Sequence, residues 1–227
     1  MVYFLPISRS SIYGNSNIGA FTFANDFFAL VPYDSPDKFV FEISNTLKVP
    51  VYKTTICSSV LLGIFIVGNS KGILVPHNAK EEEINFIKKV TGFSIIQYKG
   101  KSNALGNMIL INDKSALVSP KADKDLKQLI SKELGVEVFD GQIAGISMPG
   151  ACAVINSKGI LCHPQASNEE IAILEKIFNK PVYPSTVNCG IPYLRIGMVV
   201  NSYGAVVGEE TTGPEIAHIE SSLGLVE

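Results

Sequence analysis

Five times along this chain an asparagine opens a short polar turn between two apolar stretches, at Asn25, Asn69, Asn112, Asn156 and Asn201, so the intervals are 44, 43, 44 and 45 residues. A fixed period of this length marks a repeat architecture, because each unit is a supersecondary element that cannot bury its own apolar face and must stack on a copy of itself. The turns read Asn-Asp-Phe-Phe, Asn-Ser-Lys-Gly, Asn-Asp-Lys-Ser, Asn-Ser-Lys-Gly and Asn-Ser-Tyr-Gly. Asparagine first and glycine fourth suit a type I turn closed by a left-handed residue, which predicts a β-hairpin in every copy, most plainly at 154–164. Pro32, Pro76, Pro120 and Pro164 follow seven or eight residues after their asparagines and end the second strand, since proline has no ladder donor; Glu209 stands there in the fifth copy.

A helix is expected after each hairpin. Asn78 to Glu81, Ser167 to Glu170 and Thr212 to Glu215 each set a capping side chain three residues before a glutamate, while Ser35-Pro36 and Asp123 are the corresponding starts in the first and third copies. Apolar residues then recur at steps of three and four, as in Phe39, Ile43, Leu47 and in Leu126, Leu129, Ile130, giving each helix one buried stripe. Gly92, Gly135 and Gly224 are the expected left-handed stops. A third strand follows in the first four copies, at 51–56, 93–98, 136–139 and 182–187. The fifth copy has none, but an unmatched apolar segment at 2–7 precedes the first hairpin, so it is expected to complete the fifth unit and close the ring. Closure removes exposed sheet edges, as in propellers. The expected class is therefore α/β: one domain of five strand-strand-helix-strand repeats around an approximate five-fold axis, strands inward and helices outward. The units run near 15–57, 58–100, 101–145, 146–190, and 191–227 with 1–14.

Composition narrows the function. Hydrophobic residues make up 46% and charged residues 18%, which commits much of the chain to an interior. With a net charge of −2 and no basic face, binding driven by phosphate neutralisation is excluded as the main term. The longest apolar run, 60–68, is too short to cross a bilayer and no leader pattern is visible, so a cytoplasmic location is expected. Four cysteines without a Cys-x-x-Cys pair are expected to be buried free thiols. The hairpin glycines join strand to strand, which is no phosphate-binding fingerprint. Cys152, Cys162 and His163 share one hairpin but lack a fourth ligand, so neither a metal nor another cofactor is expected.

Several stretches, Asn103-Ala104-Leu105-Gly106-Asn107, Gly68-Asn69 with Gly72 to Pro76, Thr186-Val187-Asn188, Gly197-Met198-Val199-Val200-Asn201 and Thr211-Thr212 followed by Glu215, resemble the translation initiation factor six family. The resemblance covers essentially the whole chain and implies that family's pentein fold, the five-fold ring already reached from spacing. It also implies function: binding to the intersubunit face of the large ribosomal subunit, through a ribosomal protein beside the sarcin-ricin loop with ribosomal RNA secondary, so that the small subunit cannot join. Eukaryotic members also act in large-subunit maturation and carry a C-terminal extension, which a chain ending at Glu227 lacks; it resembles the archaeal form. A monomer is expected.

The surface for such docking is sought in the linkers between units, 14–19, 57–61, 101–107, 145–150 and 188–193, where polar and apolar residues mix as in interfaces. Asn17, Ser58, Leu61, Asn103, Leu105, Asn107, Met148, Asn188 and Tyr193 are the candidate ribosome-binding residues. For Asn103, Asn107 and Asn188 the competing role is capping of backbone groups. Lys71, Lys114 and Lys158, at the turn tips, are expected to be solvated. The same fold resembles that of the deiminases and amidinotransferases acting on guanidino groups. For such chemistry Cys189 would be the nucleophile, His163 the base, and Glu209 and Glu210 the guanidinium-binding carboxylates.

Overall fold

The computed structural model describes residues 6–225. Strand β1 is Ile7–Ser10 and a four-residue helix α1 is Ile18–Phe21. The first blade then has β2 (Phe23–Ala24), β3 (Ala29–Pro32), α2 (Asp37–Leu47) and β4 (Val51–Thr54). The second has α3 (Leu62–Phe65), β5 (Val67–Gly68), β6 (Gly72–Val75), α4 (Glu81–Thr91) and β7 (Ser94–Gln97). The third repeats this with α5 (Leu105–Met108), β8 (Ile109–Ile111), β9 (Ser115–Val118), α6 (Lys124–Leu134) and β10 (Glu137–Asp140). The fourth has α7 (Pro149–Cys152), β11 (Ala153–Ile155), β12 (Ile160–Cys162), α8 (Asn168–Phe178) and β13 (Val182–Pro184). The fifth ends with α9 (Leu194–Gly197), β14 (Met198–Val200), β15 (Ala205–Gly208) and α10 (Gly213–Ser222).

Each blade is a three-stranded sheet whose middle strand pairs antiparallel with its hairpin partner and parallel with the strand after the helix. In the fifth blade the parallel partner is β1, with Ile7 opposite Ala205 and Ser10 opposite Gly208. The ring is therefore closed by the N-terminal strand, as expected, although it spans 7–10; the earlier part of the expected strand, 2–5, lies outside the described residues. The third strands also stop short of the expected ends at Ile56 and Val187, because those residues leave the sheet for a tight bridge with Ser59 and Ile191.

Middle strands β3, β6, β9, β12 and β15 are buried along their whole length, which is why they read as unbroken apolar runs. The core lies between blades. Leu126, Ile130 and Leu134 of α6 pack with Val67 and Leu74 of the second blade, and Phe39, Ile43 and Leu47 of α2 pack with Val199 and Val206 of the fifth. Each such side chain contributes on the order of 1.5–3 kcal/mol when buried, so a blade alone would forfeit most of its stabilisation.

Two features differ from expectation. The hairpin glycines Gly72, Gly159 and Gly204 are not left-handed. They are glycine because the neighbouring backbone comes too close: a Cβ on Gly159 would lie 2.5 Å from Ser222 O, and one on Gly204 2.4 Å from Thr46 O, both in the last turn of the next blade's helix. Helix α4 begins at Glu81 with Glu83 accepting from the Lys80 N–H at 2.9 Å, instead of with an Asn78 cap, because Asn78 lies within a turn closed by Ala79 N–H to Pro76 O. Left-handed residues do end α2, α4, α6 and α8, at Lys48, Gly92, Gly135 and Asn179, and Gly224 follows α10.

Candidate functional site

A well and a floor define the two faces of the ring. The first strands climb to the five asparagine turns, which form the rim of a central well of about 450 Å³. Each rim asparagine uses its Oδ1 to accept from the N–H two or three residues on, which sets the turn. In three blades its Nδ2 reaches a carbonyl in the last turn of the next blade's helix: Asn69 to Leu134 O at 3.1 Å, Asn156 to Leu223 O at 3.0 Å and Asn201 to Leu47 O at 2.8 Å. The recurring asparagine is thus turn former and inter-blade staple together. Lys71 is exposed, as expected, and also donates to Gly135 O at 3.0 Å, capping α6.

The five short helices pack in cyclic order and close the other side. Gly19, Gly63, Gly106 and Gly150 stand at the second position of α1, α3, α5 and α7. A Cβ on Gly63 would lie 1.9 Å from Gly19 O, on Gly106 2.1 Å from Gly63 O, and on Gly150 2.2 Å from Gly106 O. These helices are not expected from the sequence, because four residues are too few to show a helical period; α1, α5 and α7 begin within the expected linkers and α3 and α9 just after them. The recurring apolar-glycine pair at Ile18, Leu62, Leu105 and Pro149 was the available signal.

The linker loops turn at the floor face through tight bends containing left-handed residues that are not glycine: Tyr13, Cys57, Ser58, Ala144, Asn188 and Cys189. Each such residue costs on the order of 1–2 kcal/mol. Three carboxylates from the following helix starts hold them. Glu83 accepts from Cys57 N–H at 2.8 Å, Ser58 N–H at 2.9 Å and Thr55 Oγ1 at 2.7 Å. Glu170 accepts from Ala144 and Gly145, and Glu215 from Cys189, Gly190, Thr186 and Thr212. Burial would raise the Glu215 carboxyl, but these hydrogen bonds outweigh it and hold the pKa at about 2. The first and third blades use a tyrosine–aspartate pair in the same place, Tyr13 with Asp34 and Tyr98 with Asp123.

Of the candidate docking residues, Ser58 and Tyr193 are exposed, while Asn17, Leu61, Asn103, Asn107 and Met148 are half-buried along the floor loops and short helices. Leu105 and Asn188 are corrections. Leu105 is fully buried as the first residue of α5, where its side chain joins the core between the second and third blades. Asn188 is 4% exposed; its Nδ2 donates to Ser16 O at 2.9 Å and its Oδ1 accepts from Thr211 at 3.0 Å, so it fastens the fifth blade to the first linker. Exposed Tyr13, Tyr33 and Ile191, not singled out from the sequence, share the floor with Tyr193.

The residues named for guanidino chemistry are not paired with one another by hydrogen bonds among the described residues. Cys57 is half-buried and Cys189 exposed, contrary to expectation, because both sit in the floor bends; Cys152 and Cys162 are buried. Among the described residues no hydrogen bond joins Cys189 to His163. The imidazole is buried edge-to-face against Tyr193 with its Nδ1 accepting from Gln165 N–H, and burial lowers its pKa. Glu209 accepts from Ser11 at 2.7 Å, and none of Cys189, His163, Glu209 and Glu210 lines the well. Among the described residues no group of His, Cys, Asp and Glu could hold a metal ion, and no helix is long and apolar enough to cross a membrane.

Five blades, a rimmed well and a glycine-packed floor define a closed five-fold α/β ring of the pentein kind. Residues 7–222 match the eIF-6 family model, and this chain belongs to the eIF-6 family. It is 43% identical over 227 residues to translation initiation factor 6 of Pyrococcus abyssi, covering 98% of this chain and 100% of the relative. The match to translation initiation factor 6 of Methanosarcina mazei is 38% over 221 residues, covering 97% and 100%. Among solved structures, the DDAH of Pseudomonas aeruginosa complexed with citrulline is similar at TM-score 0.49 and 10% identity, covering 76% of this chain and 69% of that one.

Proposed function

We propose that the floor face docks on the intersubunit face of the large ribosomal subunit, beside the sarcin-ricin loop, and bars the small subunit by occupying its place. The observation that carries this is the set of exposed apolar side chains on one face, Tyr13, Tyr33, Ile191 and Tyr193, in a chain whose relatives are named translation initiation factors. All four belong to the fifth and first blades and the linkers that lead into them. The rim side carries Phe27 and Tyr203. Tyrosines that present a large apolar area with few rotamers are favoured anchors at protein interfaces, so a ribosomal protein is the main partner and RNA the lesser one. The protein acts as a monomeric, non-enzymatic steric block in the cytoplasm, and the same contact would serve subunit maturation.

Sedimentation of mixed ribosomal subunits decides the matter. With the protein present, separate subunits should persist and the protein should travel with the large one; joined particles with free protein would sink the proposal. Tyr33→Asp with Tyr193→Asp should weaken co-sedimentation at least about thirtyfold, the loss expected of two anchor residues, whereas Phe86→Asp on the outer helix α4 should not. Retained binding by the double variant moves the docking surface to the rim.

A further inference from the structure

The five-fold pattern breaks at one position inside the ring. Where α1, α3, α5 and α7 carry Gly19, Gly63, Gly106 and Gly150, α9 carries Arg195. Its side chain crosses from the fifth blade past the first to the second, with Nε 3.5 Å from Gly63 O and a terminal NH₂ group 3.2 Å from Ile66 O. These contacts engage two of five guanidinium donors. No carboxylate forms an ion pair with Arg195 among the described residues, and its free side faces the well. Removal from water with no counter-charge drops its pKa to about 10, which still leaves it cationic at neutral pH.

The walls above this cation are apolar. Ala24, Gly68, Ile111, Ile155 and Val200, each one residue before a rim asparagine, line the well together with Met198. Two polar atoms of its lining residues, Thr22 Oγ1 and Asn25 Nδ2, are buried without a partner among the described residues. A volume of about 450 Å³ falls within the usual range for small-molecule sites. The well thus offers a polar rim, an apolar shaft and an uncompensated guanidinium at its base.

We propose that the central well is a binding site for a small organic anion, with its carboxylate or phosphate headgroup on Arg195 and its apolar body along the shaft. A half-buried guanidinium that lines a narrow well gains most from an oxyanion that supplies paired acceptors. The proton stays on the guanidinium and no bond is made or broken. This site opens on the face opposite the proposed docking surface, so it stands independently of the ribosomal reading.

The test is calorimetric titration of the full chain with hexanoate, phenyl phosphate, acetate, inorganic phosphate and hexylamine. Hexanoate and phenyl phosphate should bind and the amine should not, while acetate and inorganic phosphate should bind more weakly because they leave the shaft empty. The preferred headgroup of the pair tells carboxylate from phosphate. Arg195→Met should weaken binding at least about thirtyfold, as expected when one partner of a buried charge pair is removed. Should Arg195→Met not fold, Ile155→Trp fills the shaft while leaving the cation, and should abolish binding with the fold intact by circular dichroism. Absence of binding by either organic anion, equal binding by hexylamine, or undiminished binding by Ile155→Trp overturns the proposal.

Discussion

A single carboxylate such as Glu215 does the work of several caps. It closes the N-terminus of α10 and holds the left-handed Cys189-Gly190 bend from the same two oxygens. Substitution Glu215→Gln removes the charge and half the acceptors and should destabilise the fold by about 1–3 kcal/mol, the cost of leaving buried donors unmet; urea unfolding followed by circular dichroism measures it. Its pH signature has a definite sign. The folded pKa, about 2, lies below the ordinary 4.5, so the stabilisation is complete above about pH 5 and is lost as the pH falls toward 2. Over that interval Glu215→Gln should lose stability less steeply than the parent, and parallel acid profiles would rule out this account. The capping box Thr212 to Glu215 was legible in the sequence. Its second duty was not, because the bend it holds lies 25 residues away in the chain and its left-handed residues carry no glycine until Gly190.

At the level of elements, the hairpins, the long helices and their buried stripes follow from period and capping alone, and so does the closing strand. What stayed hidden was contact between copies. Glycine at the fourth turn position suggested a left-handed backbone, yet Gly159 and Gly204 are small because a neighbouring helix end approaches them. The short floor helices are likewise invisible to any periodicity and are set by how closely five backbones can meet. Leu105 reads as a surface residue for the same reason: within a linker it looks exposed, and only α5 turns it inward. Gly106→Ala is the direct test. In an ordinary helix this change stabilises by roughly 0.5–1 kcal/mol, but here the new methyl would lie 2.1 Å from Gly63 O. A fall in stability of about 2 kcal/mol or more is expected from overpacking, read as a lower urea midpoint; an unchanged or higher midpoint would show that the floor can spread.

For the molecule as a whole, stability resides in five interfaces between blades, each with its own apolar cluster. No interface is optional in a ring. Deleting residues 1–10 removes β1, leaves β15 with an unpaired edge and strips Ile7 from the cluster between the fourth and fifth blades. The truncated chain should lose its single cooperative unfolding transition and associate through the open edge. Analytical ultracentrifugation alongside thermal unfolding would detect both effects, and a monomer melting like the parent would mean that the ring closes without its first strand.

That first strand also imposes an order of events. Ile7 emerges from the ribosome long before its partner Ala205, with four blades between them. Blades made early can stack on one another as they appear, since domains and subdomains form from the N-terminal side during synthesis. Strand β1 must wait, unpaired, until the hairpin of the fifth blade arrives. Closure of the ring is therefore a meeting of segments made far apart in time, and the half-built ring carries two open seams until the fifth blade has been made.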